Sequence, residues 1–501
     1  MNRPYSVMKE PVIPVIIANG RLCMENIRDV LCKAHEISDL QCSSPLETIA
    51  VFRLLVAIAM DMTRPQRWMD RQELLEKGRF DSAEVDAYIS ACESNGPCFD
   101  LFDSKHPFMQ TAFDPKMDEK AIKPVALLSV SLPSGNNHIF LDHRMESAAE
   151  MSPGDAFRAL LTTYLFCTAA AQGYPSGINN TPPVYSRIMG ENLYETIVLN
   201  MISTREHPSL PDGYDLVPWR NYKPVIPKQE CVEMTMMEAL TWQPRRICLL
   251  PDEDGYVRRA AVQQGKNFRG NEVWRDPHVA YRRTKKGEWV SVKPQAGRAL
   301  WRDVGVLLAD KASEYNYPPA VVSRAADLLD DYSLPLQIQQ VGVITNQASY
   351  VSWIEDRLAL PICLLNNEIL ANIARSDTEE IEWTQNLLAQ VLNRRFNHTQ
   401  KNSIDLAEQA RLLYLTRMHD ALFSSSIPDV LLMETDCSQE RIRKHTVQFH
   451  ARIEKELRDI FRNVVQNSGN TADDLQQQTE AEREIFMKFR KYAKEREARY
   501  E

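Results

Sequence analysis

The stretch QERIRKHTVQFHARIEKELRDIFRNVVQ, residues 439–466, carries the clearest periodic pattern in this chain of 501 residues. Six apolar side chains and one threonine recur at spacings of three and four, at Ile442, Thr446, Phe449, Ile453, Leu457, Ile460 and Val464. That spacing places them on one stripe of an α-helix, with arginine and glutamate on the opposite face. The stretch therefore predicts an amphipathic helix that buries one side against other helices.

The sequence on both sides of this helix also predicts helices. Residues 362–501 contain one proline, Pro428, and one glycine, Gly469. Four helical patterns follow one another, at about 362–395, 404–423, 439–466 and 472–500. Thr471, three residues before Asp474, is suited to cap the fourth of them. Long helices with short connections predict an antiparallel four-helix bundle, in which the apolar stripes are core packing.

Residues 1–355 have a mixed pattern that predicts both helices and strands. Short apolar runs are typical of strands, at 12–17, 125–130 and 246–250. Longer stretches with helical spacing lie at 45–60 and 155–171. Clusters of proline, glycine and asparagine interrupt them repeatedly. The predicted fold class is α+β: a large irregular mixed α/β domain at 1–355, followed by a separate helical domain at 362–501.

The composition is that of an ordinary globular protein, with 44% hydrophobic and 25% charged residues. A chain of this length usually exceeds one hydrophobic core, which favours at least two domains. No apolar run reaches the roughly 18 residues of a membrane span, and no secretory signal pattern opens the chain. The ten cysteines include no C-x-x-C pair, which favours reduced thiols over a zinc ribbon or redox motif. These features predict a cytoplasmic protein.

The charge of the chain is unevenly distributed. The formal net charge is -9, yet residues 256–302 contain 12 lysines and arginines against three acidic residues. An acidic body with one basic segment suits a protein that touches a polyanion at one place. A solvated basic loop without a partner is the alternative that charge alone leaves open.

Motifs for catalysis are weak. The sequence contains neither a G-x-S-x-G nucleophile motif nor a G-x-x-x-x-G-K-[ST] phosphate loop. His138, Asp142 and His143 leave a metal-dependent nuclease open, because these residue types bind metals. Both histidines lie in a loop rich in glycine and asparagine, however, and solvent-facing side chains are the simpler interpretation. We therefore predict no metal, no cofactor and no enzymatic activity; a purely structural scaffold is a further alternative.

Three segments suggest contact with nucleic acid. In QGYPSGINN, residues 172–180, small and polar residues permit a close approach of the backbone to a ligand. Lys266 lies beside Phe268 within the basic segment. In NQAS, residues 346–349, asparagine and glutamine can donate and accept hydrogen bonds at a base edge. Each segment taken alone is also compatible with an ordinary turn, and NQAS with a turn that caps a following helix.

Several strings, in order along nearly the whole chain, resemble the CasA family, the large subunits of type I-E CRISPR Cascade surveillance complexes. The most specific are HPFMQT at 106–111 and NQAS at 346–349. The others are PVIPVII at 11–17, GNN at 135–137, FLDH at 140–143, the stretch 181–200, LTWQP at 240–244 and WRDPH at 274–278. The chain is identified as a member of this family on these strings and on the closing helical bundle.

The resemblance implies a non-catalytic DNA-binding subunit. In that family a glycine loop, a lysine finger and a glutamine wedge find the protospacer-adjacent motif (PAM) from the minor groove of double-stranded DNA and start duplex opening. The glycine loop falls here on Gln172, Gly173, Tyr174, Pro175, Ser176 and Gly177. The lysine finger falls on Lys266, within a residue or two, and the wedge falls on Asn346, Gln347 and Ala348.

The resemblance also implies partners. These are the other Cascade subunits, the 5′ handle of the guide RNA near residues 132–140, the target DNA, and a recruited helicase-nuclease. Two departures from the family pattern stand out. Tyr174 and Pro175 make the glycine loop bulkier than usual, which is expected to affect the accepted motif. No cysteine lies at 138–151 or 251–256, where some relatives carry a zinc site, so we predict no such zinc.

Overall fold

The chain folds into two compact units. In this computed structural model, unit 1 comprises Met1–Ala296, Glu314–Asp331 and Pro335–Leu360, and unit 2 comprises Gly297–Ser313, Tyr332–Leu334 and Pro361–Glu501. The structure describes residues 4–129, 132, 149–168, 177–179, 181–202, 205, 211–269, 274–295, 300–308, 314–325, 328–329, 335–346, 349–396, 405–466 and 468–500. The main division falls between Leu360 and Pro361, whereas the sequence pattern changes between 355 and 362.

Unit 1 contains both helices and strands, so the predicted α+β class is confirmed. Its helices are α1 (Ile27–Cys32), α2 (Pro45–Thr63), α3 (Trp68–Lys77), α4 (Ser82–Cys92), α5 (Pro115–Asp118), α6 (Pro153–Phe166), α7 (Leu193–Leu199), α8 (Met236–Leu240) and α10 (Ala320–Ala325). Its strands are β1 (Ile13–Ile17), β2 (Leu22–Glu25), β3 (Ile37–Leu40), β4 (Ile122–Pro124), β5 (Tyr185–Met189), β6 (Glu230–Cys231), β7 (Arg245–Pro251), β8 (Val257–Gln264), β9 (Asn267–Phe268), β10 (Tyr281–Arg283), β11 (Trp289–Ser291), β12 (Asn316–Tyr317), β13 (Pro335–Asn346) and β14 (Ser349–Pro361).

The strands form small separate sheets. Their orders are β2-β1-β3, β11-β10-β12, β14-β13-β5 and β4-β8-β7, and β6 pairs with β9 in parallel. In the antiparallel pair β7 and β8, Arg245 lies opposite Gln264. In the third sheet Val341 of β13 lies opposite Tyr185 of β5. The first pairing places the end of β8 beside the start of β7, and the second joins β13 to β5, which is more than 140 residues earlier in the chain.

Helix α2 runs through the core of unit 1. Ser44 caps it by accepting a hydrogen bond from the backbone N–H of Glu47 (3.2 Å), and Pro45 occupies the first turn. Every residue from Leu46 to Asp61 is buried, so the helix is enclosed on all sides. It packs against α6, α7, α8 and β13. Its buried Arg53 is thereby placed among segments that lead to the candidate site.

Unit 2 is built around a four-helix bundle, as the sequence predicts. In the described residues α11 (Ile362–Asn366) leads into α12 (Glu368–Phe396), followed by α13 (Leu406–Ala421), a π-helical turn (Leu422–Ser426), α14 (Ile427–Leu431), α15 (Gln439–Val465), α16 (Ala472–Glu497) and a 3₁₀ turn (Ala498–Tyr500). The whole predicted stripe of α15 is buried. Thr471 and Asp474 form the predicted cap: the N–H of Asp474 donates to the threonine hydroxyl (3.2 Å), and the N–H of Thr471 donates to the carboxylate (3.0 Å).

A segment from the middle of the chain also belongs to unit 2. It comprises a 3₁₀ turn (Leu300–Asp303) and α9 (Val304–Leu307). The Trp301 ring packs edge-on against His419 and Phe423, with centroids 5.9 and 6.2 Å apart. The guanidinium of Arg302 lies 3.3 Å from the Glu382 carboxylate. The prediction that these residues belong to the domain at 1–355 is wrong, because an apolar run does not indicate which domain will bury it.

Three local expectations are corrected. Val125–Leu128 is a 3₁₀ turn and not a strand, since a short apolar run does not distinguish a strand from a buried turn. Helix α6 ends at Phe166, and its C-cap Cys167 is extended. Residues 349–361 form β14, so NQAS does not cap a helix. The strands predicted at 12–17 and 246–250 and the helix predicted at 45–60 are confirmed.

A buried polar cluster joins the helices of the bundle. Asp377 and Glu380 of α12 are fully buried, and the Arg496 guanidinium of α16 donates hydrogen bonds to both carboxylates. His445 of α15 lies with Nε2 2.8 Å from the Asp377 carboxylate. His450 of α15 lies 3.1 Å from Glu380 through Nε2 and 2.7 Å from Glu497 through Nδ1. These charges stay buried because each carboxylate has cationic or hydrogen-bonding partners.

The stability of the bundle should depend on the charge of His450. Burial alone would lower the pKa of His450, but Glu380 and Glu497 outweigh burial and the Arg496 charge and raise that pKa above its ordinary value. The stabilising contribution is therefore complete below the unfolded pKa of about 6.5 and is lost as pH rises through the raised folded value. We expect thermal unfolding to show a larger loss for His450→Gln at pH 6 than at pH 9. The same loss at both pH values would contradict this, and Lys491→Gln, which removes an exposed cation of α16, is the control.

Candidate nucleic-acid interface

Residues in or next to the three predicted DNA-reading segments donate hydrogen bonds to the C-terminal end of α6. The last carbonyl groups of a helix lack partners within it and need donors from elsewhere. The Cys167 carbonyl accepts from the N–H of Gly177 (3.2 Å), and the Phe166 carbonyl accepts from the Tyr350 hydroxyl (3.1 Å). The Thr168 carbonyl accepts from Nη2 of Arg245 (2.8 Å). Hydrogen bonds from three chain segments thus meet at one helix end, and two of them come from residues far away in sequence.

Gly177 marks the end of the predicted glycine loop. Its hydrogen bond to Cys167 returns the chain to the helix end from which the loop departs. A Cβ added at Gly177 would lie 3.4 Å from the Leu165 carbonyl, an ordinary van der Waals contact. The other predicted loop residues, Gln172, Gly173, Tyr174, Pro175 and Ser176, lie outside the described residues. Their part in binding DNA stays a prediction.

Lys266 lies between β8 and β9, where the backbone is held on both sides. Gly265 passes so close to β7 that a Cβ there would lie 2.4 Å from the Arg245 nitrogen, so only glycine fits. The N–H of Lys266 donates to the Gln243 carbonyl (3.2 Å), and the N–H of Asn267 donates to the Gln229 carbonyl (2.8 Å). The close approach of Gly265 to β7 and these two hydrogen bonds therefore fix the backbone of the predicted finger.

The predicted wedge lies at the connection of two adjacent strands. β13 ends at the exposed Asn346 and β14 begins at Ser349, so two residues join them. A connection of two residues suits antiparallel neighbours. Gln347 and Ala348 themselves lie outside the described residues. Tyr350, directly after this connection, is the residue whose hydroxyl binds the end of α6.

A buried polar network supports the residues that follow the glycine loop. The Asn179 amide donates to the Asp276 carboxylate (2.9 Å) and accepts from the Tyr281 hydroxyl (3.0 Å). Arg53 donates to both oxygens of that carboxylate, at 2.8 and 2.6 Å. Burial alone would raise the pKa of Asp276, but the Arg53 guanidinium and His278 hold it well below its usual range. These hydrogen bonds hold Asn179, and with it the chain that follows the loop, in place.

Sequence reasoning missed Arg245, Tyr350 and this network. The signal that could have indicated part of it is WRDPH, because Asp276 and His278 lie within that string. The partner residues are far apart in sequence, however: 77 residues separate Arg245 from Thr168, and 184 separate Tyr350 from Phe166. Local patterns do not encode such pairs.

The described residues give no support to a metal centre. Among them, no group of three or more His, Cys, Asp or Glu side chains is placed to hold a metal ion. His138, Asp142 and His143 lie outside the described residues, so the nuclease alternative stays open. No helix in the described part of the chain is long and apolar enough to cross a membrane.

The fold is that of CRISPR-associated proteins whose structures have been solved. The structure of Cse1 from Acidimicrobium ferrooxidans is similar with a TM-score of 0.75 and 20% identity, over 100% of this chain and 99% of that one. A chain of a CRISPR RNA-guided surveillance complex is similar with a TM-score of 0.78 and 19% identity, over 96% of this chain and 99% of that one.

Sequence comparison gives the family. CRISPR-associated protein CasA/Cse1 of Thermus thermophilus is 27% identical over 384 residues, 74% of each chain. The family model of CRISPR-associated protein Cse1 matches residues 7–495. The chain therefore belongs to the Cse1 family, and the resemblance to CasA stated above is confirmed.

Proposed function

We propose that the chain is the large, non-catalytic subunit of a type I-E Cascade surveillance complex and reads the PAM in double-stranded target DNA. One observation carries the proposal: the glycine loop, the base of the lysine finger and the wedge connection are all tied to the end of α6 through Gly177, Arg245 and Tyr350. Family membership supports it, as does the similarity to a chain of an RNA-guided surveillance complex.

The chemistry of the three segments suits the minor groove. The minor-groove edges of base pairs distinguish A·T from G·C but little more, so a short and loose motif is read there. A backbone loop can approach these edges closely, and a lysine adds a cation for base edges and phosphates. Specificity for a longer target then comes from pairing with the guide RNA.

The wedge starts the separation of the strands. Inserting side chains between base pairs costs a few kcal/mol of stacking. Asn346 is exposed at the end of β13, and the Tyr350 hydrogen bond fixes the start of β14. The described residues on both sides of Gln347 and Ala348 are thus held in strands, which supports a wedge at this place. The opened strand is then available to the guide.

The remaining roles concern partners. We infer that residues 132–140 lie near the 5′ handle of the guide RNA and neighbouring Cascade subunits, and that the assembled complex recruits a helicase-nuclease. Arg283, Lys285 and Lys286 are exposed basic residues of unit 1, and they supply attraction to phosphates that does not depend on sequence. The chain as a whole has a formal net charge of -9, which opposes such attraction elsewhere.

Lys266→Ala tests the proposal directly. We expect the assembled complex to lose about 1–3 kcal/mol of affinity for a PAM-bearing duplex, roughly 5- to 150-fold, because one base-edge or phosphate contact is lost. Gel shifts over several salt concentrations measure this. Lys120→Ala removes an exposed lysine of the same unit and should have little effect. Equal binding by both variants at every salt concentration would contradict the assignment of the finger.

A further inference from the structure

The side chain of Lys266 lies on the face of an aromatic ring. Its ammonium nitrogen is 5.7 Å from the ring centroid of Trp242. A cation at this distance from an indole face is attracted by the negative face of the ring, and tryptophan is the best of the aromatic side chains for this contact. The contact joins a residue of the predicted finger to one that the proposed function does not use.

Trp242 and its neighbour hold Lys266 from two sides. The ring of Trp242 contacts the side chain, and the carbonyl of the next residue, Gln243, accepts from the Lys266 N–H (3.2 Å). Trp242 is itself fixed: it is 7% exposed, and the Phe268 ring packs edge-on against it with centroids 6.0 Å apart. The indole is therefore a rigid surface beneath the lysine.

The indole N–H of Trp242 is not what holds the residue in place. Its Nε1 is buried and has no hydrogen-bond partner in the part of the chain that the structure describes. A buried donor without an acceptor destabilises the fold. Phenylalanine at this position would avoid that cost. The face of the ring, where Lys266 lies, is the feature that favours tryptophan.

The surroundings of Lys266 disfavour the charged form of its amine. A contact that stabilises the charge is therefore important there. Burial lowers the pKa of the Lys266 amine, and Lys223 adds to this effect, while Cys231 and Glu238 raise that pKa. The negative face of an aromatic ring stabilises an ammonium group without forming a competing salt bridge. Unlike a carboxylate, it leaves the ammonium free to donate to a DNA acceptor.

We propose that Trp242 is the positioning residue of the lysine finger: it holds the Lys266 ammonium in one orientation before DNA arrives. This inference rests on the proposed function, since it assigns a role through Lys266. A lysine side chain loses much conformational freedom when it is fixed at an interface, and a residue that fixes it beforehand reduces that cost. Trp242 therefore contributes to PAM-dependent affinity without touching DNA.

The experiment is a double-mutant cycle on the assembled complex with PAM-bearing and PAM-free duplexes. Trp242→Leu is expected to lower affinity for the PAM-bearing duplex by about 2- to 30-fold, with little change for the PAM-free duplex. Trp242→Phe keeps a ring face and should lose less. In the Lys266→Ala background, Trp242→Leu should have no further effect, because the cation that it positions is absent.

Phe80→Leu is the matched control, since Phe80 is a buried aromatic residue of the same unit that packs against Tyr194. It should lower the melting temperature without changing PAM discrimination. If Trp242→Leu does not enter the complex, the cycle with Trp242→Phe should show coupling of the same sign. An equal loss from Trp242→Leu with and without Lys266 would overturn the inference, and so would no loss at all. No effect of Lys266→Ala alone would instead refute the assignment of the finger.

Discussion

The double substitution Asn346→Ala and Gln347→Ala is expected to lower binding of the assembled complex to a fully paired PAM-bearing target on the order of 100-fold. Docking rests largely on lysine and arginine contacts with phosphates, and the substitutions remove no charge. Opening requires side chains that fill the gap between separating base pairs and bind their exposed edges. Asparagine and glutamine amides do both, whereas alanine leaves the stacking cost of a few kcal/mol uncompensated.

A target already mismatched beside the PAM isolates the opening step. Such a bubble should restore most of the binding that the double variant loses, because no base pair remains to be opened. Gln337→Ala, an exposed glutamine at the other end of β13, is the matched control and should behave as wild type on both targets. The same relative defect on paired and pre-opened targets would show that these residues do not act as a wedge.

Arg496→Met is expected to destabilise unit 2 by about 3–5 kcal/mol. The substitution leaves the carboxylates of Asp377 and Glu380 buried without their guanidinium. Urea unfolding of the full chain, followed by helical circular dichroism, measures this as an earlier loss of helical signal. Arg490→Met is the control on the same helix: Arg490 is exposed and pairs with Glu454 at 2.8 Å, and a solvent-exposed ion pair contributes little to stability. Equal losses for the two variants would mean that the buried cluster is not stabilising.

Most of unit 2 could be predicted because the signals for its helices and their caps are local. The stripe from Ile442 to Val464 lies on one helix, and Thr471 caps another through a residue three positions away. The place of Trp301 could not be predicted in the same way. Its ring packs against His419 and Phe423, more than one hundred residues later, and its own sequence surroundings resemble those of unit 1.

For the candidate site, too, individual residues could be predicted, but the long-range contacts that hold them could not. The resemblance placed Lys266 and Asn346, and the structure describes both, but their supports are long-range contacts of Arg245, Gly265 and Tyr350 that no local motif encodes. The string HPFMQT, among the most specific signals of the family, proves to be structural. The Gln110 amide donates to the Leu101 carbonyl (3.0 Å) and accepts from the Leu249 N–H (2.8 Å) in the core.

The central claim, that this chain reads the PAM and does not cut DNA, is tested most directly by omission. Binding of PAM-bearing and PAM-free duplexes is compared between complexes assembled with and without this chain, in the presence of divalent metal. We expect discrimination between the duplexes only when the chain is present, and no cleavage by the isolated chain. Retained discrimination in its absence would contradict the account, as would metal-dependent cleavage that disappears in His143→Ala.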